Sequence, residues 1–178
     1  MTRTPIALAL LLAVIAGCGS SSSSSSPASS SKTVDPNAKE VSPAGDIPDN
    51  QAYVAYSPPG ADYSVKVPEG WARSAAGRAV TFTDKLNSIR MEEGQAKGPP
   101  YRPGKASVVR RTSGRVVRIT SHATSPPDPV TGRTRTNAVE RYLFVRNGKQ
   151  VTLTLSGPKG ADNVDPWKLV TDSLKWTR

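Results

Sequence analysis

The sequence has one cysteine and one histidine, Cys18 and His122, among its 178 residues. A structural zinc site takes several such ligands, and a disulfide framework needs further cysteines, so both are excluded. The sequence also lacks the Gly-x-Ser-x-Gly pattern of a serine nucleophile and a glycine-rich phosphate loop. We therefore predict a domain that depends on an ordinary hydrophobic core, is not an enzyme, and holds no cofactor and no metal.

Long apolar runs are missing as well. A membrane-spanning helix requires about 20 apolar residues, and the uncharged stretch over residues 4–17 is shorter and is followed at once by glycine and serine. With Arg3 ahead of it, residues 1–17 have the pattern of a signal peptide. An ordinary secretory signal and an uncut signal anchor are the alternatives.

The end of that stretch, Ile15-Ala16-Gly17-Cys18, resembles the lipobox of bacterial lipoproteins. The resemblance implies cleavage before Cys18 and attachment of acyl chains (palmitate or similar) to its sulfur. Two or more chains anchor a protein stably. We therefore expect a lipid-anchored protein at the cell membrane, facing outside the cytoplasm.

Residues 18–50 contain no aromatic residue, and Val34, Val41 and Ile47 are their only large aliphatics. Serine and proline dominate this segment. Such a composition buries too little apolar surface to offset the entropy of ordering. We predict a flexible tether over residues 18–50, spanning roughly 30 Å on average, and a single domain over residues 51–178, which is long enough for one core.

Acidic residues are scarce in the predicted domain. Residues 1–50 hold three basic and four acidic residues, so residues 51–178 carry 21 basic against ten acidic, a net charge of +11. No acidic residue lies between Gly94 and Pro127. That segment holds seven basic residues: Lys97, Arg102, Lys105, Arg110, Arg111, Arg115 and Arg118.

We take Arg110, Arg111, Arg115 and Arg118 as candidate residues for binding a polyanion. A solvated basic surface is the alternative. Nucleic acid is not expected as a partner, because an exported protein does not meet it and Tyr101 is the only aromatic residue in the segment.

Apolar and polar residues alternate along much of the domain, which is typical of half-buried strands. Around a turn at residues 84–87, a hairpin that pairs Phe82 with Ile89 also pairs Val80 with Met91, with all four on one face. We expect strands over residues 52–56, 63–67, 80–83, 89–92, 114–123, 140–146 and 149–155. Residues 94–105 are expected to form a loop, and 106–112 fit either a helical turn or a strand.

The clearest hairpin signal is Asn147-Gly148, which favours a two-residue turn. Such a turn pairs Phe144 with Val151 and Tyr142 with Leu153. Both pairs then lie on one face of the sheet.

A C-terminal helix is expected after Asp165, a good N-cap, with Pro166 at the first helical position. Trp167, Val170 and Leu174 then fall on one helix face. The predicted architecture is α+β, with an antiparallel sheet packed against this helix.

Two stretches resemble known families. The segment 63–71, with 80–84 behind it, resembles the opening of PsbP/Mog-type α/β/α sandwich domains. The segment 140–176 is similar to the C-terminus of small lipoproteins common in actinobacteria. The resemblance implies a non-enzymatic scaffold or binding module and carries over no catalytic residue. Residues 94–113 leave room for only a turn or two of helix, so we expect a reduced second helical layer.

Few side chains offer other chemistry. His122 lacks a second histidine, although a hydrolase that uses it remains an alternative. Asp162, Asn163 and Asp165 do not have the spacing of a calcium loop and are explained by helix capping. Glu92 and Glu93 are neighbours on a strand and point to opposite faces, so they cannot form a catalytic pair.

The sequence therefore predicts a monomeric, membrane-anchored lipoprotein that acts as a non-catalytic binding or scaffold module of the cell envelope. Its expected partner is an envelope protein or a polyanion. The leading alternative is binding of anionic lipid or cell-wall polymer through the basic surface, and a small-molecule carrier is a further one.

Overall fold

A computed structural model describes residues 44–96 and 106–177. The predicted signal peptide, Cys18, most of the tether and the basic residues at 97, 102 and 105 lie outside these ranges. The described elements are β1 (Tyr53–Tyr56), β2 (Tyr63–Pro68), β3 (Ala72–Ala76), β4 (Ala79–Asp84), β5 (Asn87–Gln95), β6 (Ala106–Arg111), β7 (Gly114–Thr124), β8 (Thr136–Arg146), β9 (Lys149–Pro158), α1 (Val164–Asp172) and β10 (Lys175–Trp176). No helix in these two ranges is long and apolar enough to cross a bilayer.

Seven strands form one antiparallel sheet in the order β3-β4-β5-β9-β8-β7-β6. The predicted register of both hairpins is confirmed. In β4 and β5, Phe82 pairs with Ile89, and in β8 and β9, Phe144 pairs with Val151 and Tyr142 with Leu153. The side chains of these pairs are buried, because alternation directs all of them to one side of the sheet.

A second layer covers that side. It consists of a three-stranded sheet, in the order β1-β2-β10, and helix α1. Both layers contribute to one hydrophobic core, in which Tyr56 meets Phe82 edge to face at 5.0 Å between ring centroids. We call the covered side of the seven-stranded sheet the inner face and the opposite side the outer face. The architecture is a two-layer α+β sandwich.

Helix α1 begins earlier than predicted. Its N-cap residue is Asn163, not Asp165, and the Asn163 side chain makes no capping hydrogen bond. Asp165 lies in the first turn instead, where its negative charge interacts favourably with the helix dipole. Trp167 and Val170 are buried on one helix face, as predicted, whereas the helix ends at Asp172 and the buried Leu174 lies beyond it.

Further features differ from the prediction, among them strand β10 and the extension of β5 to Gln95, inside the predicted loop. The ambiguous segment before residue 112 is a strand, β6. Strand β3 was not predicted, because all five of its residues are exposed and no apolar alternation marks them. Ile47 belongs to the core, so the last part of the predicted tether packs against the domain.

Candidate functional site

The four candidate arginines divide into two pairs on opposite faces. In the β6–β7 hairpin, Arg110 pairs with Arg115, and both are exposed on the outer face. Arg111 and Arg118 lie on the inner face, where they contact Tyr142 and Glu140 respectively. Successive strand residues point to opposite sides, so the four side chains do not form one surface.

Arg111 connects β6 to α1. Its Nε donates to Thr171 Oγ1 at 2.8 Å and lies 3.7 Å from Asp172 Oδ1. Its Nη2 donates to the Tyr142 hydroxyl at 3.0 Å, and its guanidinium lies 5.0 Å from the centre of the Tyr142 ring. The side chain is only 12% exposed. Through these contacts, Arg111 holds the helix against the sheet.

Arg118 lies beside a carboxylate whose two oxygens are both occupied. Arg118 Nη2 donates to Glu140 Oε1 at 2.6 Å, and the Tyr142 hydroxyl donates to Glu140 Oε2 at 2.5 Å. Burial, followed by the bond to Glu140, raises the pKa of Tyr142 to about 12. The phenol therefore keeps its proton at neutral pH and remains a donor to Glu140.

This network borders a cavity of about 360 Å³ between the inner face and the first half of α1, which we call the cleft. Arg118, Glu140 and Tyr142 form its polar wall. Trp167 and Val164 of the helix lie opposite. The sequence offered a signal for this site that was missed: Glu140 and Tyr142 are two residues apart on a strand, so they share a face.

The outer face is covered by no helix or strand within residues 44–96 and 106–177. Its strand residues include four arginines and one acid, a net charge of +3. The acid, Glu92, pairs with Arg90 at 3.1 Å. The other three arginines, at positions 110, 115 and 141, are exposed and have no ion pair with any described residue.

Exposed aliphatic side chains lie among these arginines. Val108 is 54% exposed and Val145 is 57% exposed. Val117 pairs with Val108 on one side and with Leu143 on the other, but Val117 is half-buried and Leu143 is buried, so Val108 and Val145 supply the exposed apolar surface. The outer face thus combines positive charge with apolar surface.

The remaining candidate chemistry is sparse. His122 is exposed within β7 and pairs with Ala138 in β8. Asp162 and Asp165 are exposed at the start of the helix. In the part of the chain that the structure describes, no group of three or more His, Cys, Asp or Glu side chains could hold a metal ion. Glu92 and Glu93 point to opposite faces, as predicted.

No family model and no curated protein matches the sequence. Among solved structures, the chain is similar to a protein from Bacteroides thetaiotaomicron, with a TM-score of 0.51 and 14% sequence identity. The match covers 70% of this chain and 48% of the other, so the chain spans about half the length of that structure. A likeness at this identity supports the α+β sandwich fold and nothing finer.

Proposed function

We propose that this chain is a lipid-anchored, extracytoplasmic binding module of the cell envelope, with a PsbP/Mog-type domain and no catalytic activity. Its anchor is Cys18, and its binding surface is the outer face of the seven-stranded sheet. The ligand is the anionic headgroup layer of the membrane that carries it. The protein works as a monomer.

The observation that carries this proposal is the pair Arg110 and Arg115. These side chains lie directly opposite each other in the β6–β7 hairpin. Like charges in that arrangement destabilise a sheet, and no described carboxylate is near enough to form an ion pair with either. The sequence between β5 and β6 contains no acidic residue either. An anion from outside the protein would relieve the repulsion.

The aliphatic side chains favour a lipid surface over a soluble polyanion. Membrane-surface binding combines buried apolar area with attraction to anionic lipids. Val108 and Val145 supply the apolar part, and the arginines at 110, 115 and 141 supply the charge. A cell-wall polyphosphate would use the charges and leave the valines in water.

A labelling experiment tests this surface in the full chain, reconstituted in vesicles. With Cys18 acylated, a Val145→Cys variant carries one free thiol for an environment-sensitive fluorophore, and Lys66→Cys places the same fluorophore on the opposite side. We expect brominated anionic lipids to quench the label at 145 and to leave the label at 66 unchanged. Raising salt to about 0.5 M, where the screening length is about 4 Å, should release the quenching.

Two results would contradict the proposal: equal quenching at both positions, or equal quenching in neutral and anionic vesicles. If an added cell-wall polyphosphate displaces the domain at concentrations that do not alter the lipid surface charge, the polymer is the ligand instead.

The anchor has its own prediction. Replacing Cys18 by serine removes the sulfur that the acyl chains need. We expect the Cys18→Ser protein to leave the membrane fraction and to appear in secreted or unprocessed form. Fractionation with detection of the chain measures this. A variant that stays in the membrane and is cut at the same position would disprove lipidation at Cys18.

A further inference from the structure

We propose that the cleft between α1 and the inner face binds a small organic monoanion, a carboxylate with a short aliphatic or aromatic body. This site is separate from the outer face, and the inference does not depend on the proposed function. It rests on the charge balance, the unused donors and the apolar wall of the cleft.

The size of the cleft fits a small ligand. Its volume is about 360 Å³, at the lower end of small-molecule sites. The cleft lies between two layers: strands β6 to β8 supply one wall and the start of α1 supplies the other. The polar side chains are fixed by hydrogen bonds before any ligand arrives, which lowers the entropy cost of binding.

Among the charged residues that line the cleft and their ion-pair partners, one positive charge is uncompensated. Arg111, Arg118 and Lys168 line it, and Glu140 also lines it. Asp172 lies just beyond and pairs with Lys168 at 2.7 Å. Three cations against two carboxylates give a net charge of +1, which fits a monoanion better than a cation or a polyanion.

Arg118 has donors that no described residue accepts, so its guanidinium can bind an anionic ligand. Only Nη2 of this guanidinium has an acceptor, Glu140, and Nε is buried without a hydrogen-bond partner among the described residues. The side chain is 35% exposed, so part of the fork remains open to a ligand. Carboxylates accept from guanidinium groups in charge-assisted bonds.

A cationic ligand is disfavoured by the same network. Among the described residues, Glu140 is the only acid that lines the cleft, and both of its oxygens already accept hydrogen bonds from Arg118 and Tyr142. An amine would have to displace one of those donors. The carboxylate of Glu140 therefore orients Arg118 and does not itself receive the ligand.

The helix side of the cleft offers apolar contacts to the hydrocarbon body of the ligand. Trp167 is buried there, and Val164 lies near the opening with most of its side chain exposed. Ala138 of β8 adds a further apolar side chain to the lining of the cleft. Apolar contact gives a ligand with a hydrocarbon body an advantage over inorganic phosphate.

The test uses the full chain in nanodiscs of neutral phosphatidylcholine, labelled with 5-fluorotryptophan and observed by fluorine NMR. Trp→Phe substitutions at positions 71 and 176 assign the signals. We expect benzoate to shift the Trp167 signal with a Kd of about a millimolar, as suits so small a ligand. Benzamide, its neutral isostere, and inorganic phosphate should bind at least about tenfold more weakly, since each lacks one of the two recognised features.

Paired variants separate binding from folding. Val164→Glu puts a negative charge at the opening, and its position in the first helical turn favours the helix, so the protein should fold and bind benzoate about three- to tenfold more weakly. Val164→Gln loses the same apolar contact but adds no charge, so it should bind benzoate more tightly than Val164→Glu does. Arg118→Met should weaken binding at least about tenfold, whereas Arg133→Met removes an exposed arginine elsewhere and should change nothing.

Three outcomes would overturn the inference. They are the absence of a saturable shift at Trp167 up to about 10 mM benzoate, equal binding of benzoate and benzamide, and equal affinity of the two Val164 variants.

Discussion

Replacing Asn163 by alanine is expected to lower the free energy of unfolding by about 3 kcal/mol, since two buried polar groups lose their partners. Asn163 is 3% exposed. Its Oδ1 accepts from the Ile47 N–H at 2.9 Å, and its Nδ2 donates to Asn87 Oδ1 at 3.1 Å and to the Gly45 carbonyl at 3.0 Å. In the variant, the Ile47 N–H and Asn87 Oδ1 are left unsatisfied. The Gly45 carbonyl keeps its bond from Asn87 Nδ2 at 2.9 Å.

The cluster around Asn163 is tightly packed on the side of Gly157. A Cβ added at Gly157 would lie 2.3 Å from Asn87 Oδ1 and 2.8 Å from Asn163 Nδ2. Glycine is therefore required where β9 passes the two asparagines. Urea unfolding of the chain measures the loss, and Asn50→Ala, at an exposed position, should change stability by no more than about 0.5 kcal/mol. A loss below about 1 kcal/mol for Asn163→Ala would mean that the two groups find other partners.

The sequence predicts the pairing of neighbouring strands well, because this pairing follows from the alternation of apolar residues and from the residues in the turn. The Asn147-Gly148 turn requires positive φ at both residues, and the observed values are 50° and 76°. That turn fixes the register of β8 and β9 over their whole length. The same reasoning gives the β4–β5 register, since only one pairing puts Val80, Phe82, Ile89 and Met91 on one side.

Partners that are distant in sequence could not be predicted. Asn163 looks like part of a helix cap, because its neighbours are aspartate and proline. Its actual partner Ile47 lies 116 residues away, in a segment whose composition indicates a tether. One isoleucine in a polar stretch gives no periodic signal. Strand β3 could not be predicted for a different reason. It forms by backbone pairing with β4 and buries none of its side chains, so it has no apolar alternation.

The arginine cluster shows why a count of charges does not define a surface. Arg110 and Arg111 are adjacent, so they must face opposite sides if their segment is a strand. The sequence left residues 106–112 open between a helical turn and a strand, and the parity rule could not be applied. Once β6 is a strand, Arg111 turns inward to Tyr142 and Arg110 turns outward to Arg115. The charge of the outer face then also depends on Arg141, which lies outside the basic segment between Gly94 and Pro127.

Reversing the charges at positions 110, 115 and 141 is expected to abolish docking of the outer face on anionic membranes. Each basic side chain near such a surface contributes about 1 kcal/mol, so replacing three arginines by glutamates should weaken docking at least about 100-fold. The three side chains are exposed and form no ion pair with other described residues, so the fold should survive. Quenching of the label at Val145→Cys by brominated anionic lipids gives the readout in the full chain.

A matched control separates a defined surface from net charge. Lys66, Lys168 and Lys175 are exposed around a groove beside α1, in the second layer. Changing these three lysines to glutamate alters the net charge by the same amount on the opposite side of the domain. If docking depends on the outer face, this variant keeps most of its quenching at salt near 0.15 M, where the screening length of about 8 Å limits the reach of the distant charges. Equal loss in the two variants would show attraction of the whole basic domain without a preferred face. The proposal that the outer face docks on the membrane would then be wrong, whether or not Cys18 is acylated.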